Sequence, residues 1–109
     1  MKNFSFIIIF ITTPTEKEAQ KISDKLLKEK LVACVSIVKK VNSFFWWKNK
    51  IEFANEILLT AKTDLKFFND IVRIVKQLHS YEVPEIIALP IIDGSKDYLE
   101  WIKKSIKKN

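Results

Sequence analysis

The side chains able to do chemistry in this sequence are few, and their scarcity is the first constraint. Cys34 is the single thiol and His79 the single imidazole. One chain therefore cannot build a zinc finger, a CxxC redox pair or a helix bearing two histidine ligands, and it cannot close an internal disulfide. Cys34 stands between Ala33 and Val35, where it is either a small buried hydrophobe or a soft thiolate suited to Cu(I). Copper heads the divalent affinity series, so Cys34 and His79 are the candidate metal ligands, and copper or another divalent cation is the optional, not obligatory, cofactor. His79 falls at the predicted end of a helix, where an imidazole meets the terminal carbonyls favourably. Tyr81 and Glu82 lie within three residues of it and can equally converge with it on a ligand. Glu85, beyond Val83-Pro84, reads as a solvated charge. Lys62 closes an otherwise apolar stretch, where its amine either snorkels or meets an anion.

The elements that must position these groups follow from periodicity. Residues 4–12 are apolar on both alternating sets, Phe4, Phe6, Ile8 and Phe10 against Ile7, Ile9 and Ile11, which predicts a strand covered on both faces. The run is too short for a membrane span and lacks a small-x-small cleavage site, so a strand is expected in preference to a signal peptide. Thr15 and Glu18 have the spacing of a capping box, and Ala19, Ile22, Leu26 and Leu27 predict a core-facing helix over 16–30. β character runs from Leu31 to Trp47 and returns from Ile51 to Lys62, with Asn49 suited to the turn of a long hairpin. Trp46 and Trp47 project to opposite faces of the overhanging arm, one expected to be buried and the other to pack on a neighbour. Thr63-Asp64 opens a second helix whose expected apolar stripe is Leu65, Phe68, Ile71, Val72, Val75 and Leu78. A connector, His79 to Pro84, leads to a strand over 85–91, and Asp93-Gly94-Ser95 turns into a last helix carrying Tyr98, Leu99, Trp101, Ile102 and Ile106.

The expected architecture is α+β: a ferredoxin-like βαββαβ unit plus a C-terminal helix, with an antiparallel sheet and an extended hairpin. A single domain over 1–109 accommodates it. Two helices cover one face of such a sheet, so the other face calls for a second subunit or the terminal helix. One free thiol favours a reducing, cytoplasmic setting.

Composition excludes several functions. Gly94 is the only glycine, so the Gly-rich phosphate loops of nucleotide-binding folds cannot be built. The net charge is +6, yet of 19 basic residues only Arg73 is an arginine, and the lysines are dispersed; a solvated surface is expected in preference to a phosphate-binding patch. Three classes of function were compatible with the order of elements. A non-enzymatic binding or sensing protein for cations or a small anion fits best. A nucleic-acid module would need exposed rings on the middle of the third strand, where Glu56 to Ala61 offers none, and an acylphosphatase-like enzyme would need an Arg and Gly-rich cradle that is missing.

Leu31-Val32-Ala33-Cys34-Val35, the Trp46-Trp47 arm, Glu56-Ile57-Leu58-Leu59 ending in Lys62-Thr63, His79-x-Tyr81-Glu82-Val83-Pro84-Glu85 and Asp93-Gly94 before Tyr98-Leu99-x-Trp101 occur in an order that resembles the CutA divalent-cation tolerance family over essentially the whole chain. The resemblance implies a tight homotrimer of PII-like build, a cytoplasmic location, and a link to copper and other divalent cations. It also implies a ligand pocket between subunits that draws on Lys62, His79, Tyr81 and Glu82, with Cys34 and Trp47 nearby. No membrane association is implied, and nucleic acid is not the expected partner. Ser80 stands where the family usually has proline, Asn49 replaces the customary turn glycine, Phe45 replaces a tyrosine and Ser36 an asparagine; the connector before Tyr81 is therefore expected to be less rigid.

Overall fold

The structure, a computed structural model, describes residues 5–108. Eight elements follow in chain order: β1 (Phe6–Thr13), α1 (Glu16–Lys28), β2 (Cys34–Trp47), β3 (Lys50–Asp64), a 3-10 turn (Leu65–Phe67), α2 (Phe68–Leu78), β4 (Ile86–Pro90) and α3 (Lys96–Ser105). The sheet order is β2-β3-β1-β4, antiparallel at each pairing, as the split βαβ arrangement requires. Among the described residues no helix is long and apolar enough to cross a membrane. Phe4, placed in the first strand by its alternation, lies outside the described residues.

Alternation decides the two faces. Ile7, Ile9 and Ile11 on β1 stand beside Thr63, Ala61 and Leu59 on β3, and that face is buried by Ala19, Ile22 and Leu26 of α1, Phe67 of the 3-10 turn and Ile71, Ile74 and Val75 of α2. The opposite face carries Ile8 and Phe10, paired with Leu89 and Ile87 of β4, and the last two stay exposed. Both faces of β1 and β4 are apolar as expected, but within one chain only one face is fully covered. α3 reaches the corner where Cys34 pairs with Lys62, placing Tyr98 there, and its end returns to the core through Ile106.

Local chemistry sets the element limits. Thr15 accepts the Glu18 amide through its hydroxyl, the first half of the expected capping box; the Glu18 carboxylate turns away from the helix start to the connector, so the second half is not made. α1 stops at Lys28, short of the expected residue 30, because Lys30 enters the left-handed region and the Lys30 and Leu31 amides return to the Leu27 and Leu26 carbonyls. Leu31 and Val32 are buried in this exit, so the ladder of β2 begins at Cys34 instead of Leu31. The hairpin turns on Lys48-Asn49, both at positive φ, the geometry that matches strand twist in a two-residue loop. A bulge between Val38 and Val41, with Lys40 at positive φ, re-aims the outer half of β2.

Two expectations about packing are corrected. β3 runs on to Asp64, whose side chain accepts the Lys66 amide and caps the 3-10 turn instead of opening α2 directly. That turn rotates the apolar stripe: Phe67, Ile71, Ile74 and Val75 are buried, whereas Leu65 is exposed and Phe68 and Val72 are only half-buried. On the hairpin, neither tryptophan is buried within the chain; Trp46 is 71% and Trp47 38% exposed, because the arm extends past the helices that cover the sheet.

Candidate functional site

A concavity of about 1100 Å³ lies between the outer arm of the hairpin and the connector after α2. Its ring-bearing wall comes from Phe44, Phe45, Trp46, Trp47 and Phe53 on the hairpin, and its far wall from the connector 80–85. The charged residues lining it are Glu52, Glu56, Glu82 and Glu85, all acidic in a chain whose net charge is +6.

Glu56 forms the base. It is only 5% exposed, and its Oε2 accepts the Tyr81 hydroxyl at 2.8 Å. Its other oxygen has no hydrogen-bond partner among the described residues. Burial first, then the hydrogen bond to Glu56, pushes the Tyr81 phenol up to about 12. Glu85 stays exposed, as expected, while partial burial, with the Glu56 charge adding to it, holds its carboxyl above the usual carboxylate range.

The connector is fixed from behind. His79 has a fully buried side chain; Nε2 lies 2.7 Å from the Thr12 carbonyl and donates to it, while Nδ1 accepts the Tyr81 amide at 3.0 Å. The helix carbonyls expected to receive this ring are not its partners. Glu18 accepts the Ser80 amide at 2.6 Å and the Ser80 hydroxyl at 2.9 Å, and it stands 3.5 Å from His79 Nδ1. A proline at position 80 has no amide to give, so Ser80 replaces ring stiffness with two hydrogen bonds.

The expected site residues thus separate. Tyr81, Glu82 and Trp47 line the cavity, and His79 supports it without lining it. Lys62 lies elsewhere, opposite Cys34 on the ladder, its amine 5.9 Å from the Tyr98 ring centroid. The Cys34 sulfur is 3.7 Å from the Tyr98 hydroxyl, a contact that raises the Tyr98 phenol above its ordinary range. Cys34 and His79 share no partner, and both His79 nitrogens are engaged; within the chain this donor pair does not fit a copper ion. Among the described residues no group of three or more His, Cys, Asp or Glu side chains is placed to hold a metal. Glu56 was missed by sequence reasoning, although a charge just before Ile57-Leu58-Leu59 is the same anomaly that singled out Lys62.

Because Tyr81 is held protonated by its surroundings, its contribution to stability is complete below the ordinary phenol value near ~10 and is lost as pH rises towards about 12. Phenolate absorbance in a Tyr98→Phe background should show Tyr81 titrating near that upper value. Glu56→Gln should lower it without restoring the ordinary value, since burial is the larger cause; an unshifted titration would contradict the Glu56 contact.

A split-βαβ subunit with an overhanging aromatic hairpin is the class of fold, and comparison with known proteins gives its kinship. Residues 7–105 match the family model described as CutA1 divalent ion tolerance protein, and the chain belongs to that family. It is 43% identical over 107 residues to the divalent-cation tolerance protein CutA of Archaeoglobus fulgidus, covering 98% of this chain and 100% of that one. Against the chloroplastic CutA 1 of Oryza sativa it is 38% identical over 103 residues and spans 58% of that protein's length. Among solved structures, the Thermus thermophilus divalent cation tolerance protein superimposes with a TM-score of 0.91 at 38% identity, covering 94% of this chain and 99% of that one. The Archaeoglobus fulgidus protein, described as periplasmic, gives 0.90 at 42% identity over 94% and 99%.

Proposed function

We propose that this chain is a non-enzymatic, cytoplasmic homotrimer that binds a cation in the cavity above Glu56, with a PII-like sensing role. The observation that carries the reading is the buried Glu56 carboxylate at the base of a cavity whose charged lining is entirely acidic, in a protein that is otherwise basic. Such a lining repels phosphates and carboxylates and leaves the small-anion reading without a seat there. Trimer formation is supported by the uncovered apolar surface: Phe44, Trp46, Ile51 and Phe53 on the hairpin, and Ile87 and Leu89 on β4, are large hydrophobics left exposed in the single chain. The number three rests on family likeness. Copper at Cys34 and His79 finds no shared site within the chain, so cation binding is assigned to the carboxylate cavity.

Thermal-shift titration tests this reading. At low ionic strength, manganese or small organic cations should raise the melting temperature of the wild type, and Glu56→Gln should lose most of that rise, while phosphate and short RNA should produce none. Stabilisation by phosphate or RNA that survives physiological salt would overturn it.

A further inference from the structure

We infer that His79 is a proton-operated latch on the connector: the neutral ring holds the Tyr81 backbone, and uptake of a proton moves Nδ1 from Tyr81 to the Glu18 carboxylate and frees the segment. The latch is independent of the cation reading above. Its resting state is fixed by its partners. The Thr12 carbonyl can only accept, so Nε2, 2.7 Å away, carries a hydrogen; the Tyr81 amide can only donate, so Nδ1, 3.0 Å from it, is bare. His79 is therefore neutral in a single tautomer, and its side chain is 0% exposed.

A second proton has one place to go. On Nδ1 it meets the Tyr81 N–H, two donors with no acceptor between them. Glu18 Oε1 stands 3.5 Å from the same nitrogen, and the Glu18 side chain is 16% exposed, near enough to accept the new N–H after a small shift and open enough to pass the proton in from solvent. Glu18 is also the anchor of the connector, since it accepts the Ser80 amide and the Ser80 hydroxyl. Drawing it towards an imidazolium weakens those two bonds as the Tyr81 amide loses its acceptor. The other groups around the ring do not compete for the proton. β1 has no charged residue and meets the ring with the Thr12 carbonyl. On the connector the Tyr81 phenol faces it, ring centroids 4.9 Å apart, with Glu56 of β3 beyond the hydroxyl, and Glu82 and Glu85 are exposed farther along. Its own helix ends with the exposed Lys76. Protonation thus exchanges the bonds that tie down Ser80 and Tyr81 for one buried ion pair, and the segment that presents Tyr81 to Glu56 is released.

Magnetic resonance of the assembled wild-type protein tests the latch, the His79 ring nitrogens reporting tautomer and charge and amide exchange reporting the connector. At neutral pH the ring should show the Nε2–H tautomer. On acidification His79 should take up a proton, and the protection factor of the Tyr81 amide should fall with the same midpoint by about tenfold or more, the loss of roughly one hydrogen bond. The Ile9 amide, in the middle of the sheet, should keep its protection throughout. Glu18→Gln leaves an acceptor for the Ser80 amide but removes the charge, so His79 should need about tenfold more acid to take up its proton. His79→Gln cannot titrate and should make Tyr81 protection independent of pH over the same range. A ring that stays neutral until the whole sheet loses protection would overturn the inference. So would a charged ring with Tyr81 protection unchanged, a parallel loss at Ile9, or a midpoint that Glu18→Gln does not move.

Discussion

Replacing Phe44 and Trp46 together by serine is expected to convert a trimer into free subunits at micromolar concentration, the largest effect on assembly that any pair of side chains should have. Both rings are 71% exposed in the single chain, on an arm that extends past its own helices. Burying one such ring is worth roughly 1.5–3 kcal/mol, so losing two weakens each contact by about 3–6 kcal/mol, or about 100-fold to 10,000-fold. The subunit itself should survive. The local loss is the Phe44–Phe53 ring pair, whose centroids are 5.0 Å apart, and such cross-strand pairs contribute only about 0.5–1.5 kcal/mol. Light scattering coupled to gel filtration should give three times the 12.8 kDa chain mass for the wild type and the chain mass for the double variant, with unchanged circular dichroism. A wild-type protein at chain mass, or a double variant that still assembles, would contradict the hairpin's role.

Phe67→Ala should have the largest effect on folding. Phe67 is 1% exposed and sits where the 3-10 turn hands over to α2, packed into the core beneath the sheet. Truncating a buried phenylalanine costs about 3–5 kcal/mol, which for a domain of this size lowers the melting temperature by on the order of 15–25 °C at fixed protein concentration. Leu65→Ala, two residues earlier and exposed, should cost less than about 1 kcal/mol. Equal effects would show that the apolar stripe of α2 runs as the sequence periodicity suggested.

That contrast shows what could be read from the sequence and what could not. Strand order, the hairpin and the existence of each helix were legible because the signals were local: two-sided isoleucine alternation in β1, Thr15 before a periodic helix, and a residue tolerant of positive φ at Asn49. The phase of α2 was not, because Leu65, Phe67 and Phe68 are all apolar and only the Asp64 cap on the Lys66 amide decides which one turns inward. Glu18 looked like a capping-box residue, and nothing local reveals that Ser80 competes for its carboxylate with two donors. The site suffered most from this kind of distant pairing. Tyr81 was singled out from its neighbours His79 and Glu82, but its partner Glu56 is 25 residues away, brought beside it by the hairpin and the connector. Lys62 and Glu56 are both charges in an apolar strand, and only the fold tells them apart: one ends beneath the Tyr98 ring, the other at the base of the cavity.

The claim that a cation occupies this cavity is tested most directly by anomalous diffraction from crystals of the assembled protein grown with a bromine-labelled alkylammonium salt. The account predicts a bromine peak within the cavity, its ammonium density beside Glu56. A peak beside Cys34 or Lys62, or an open cavity without bromine at saturating salt, would contradict it.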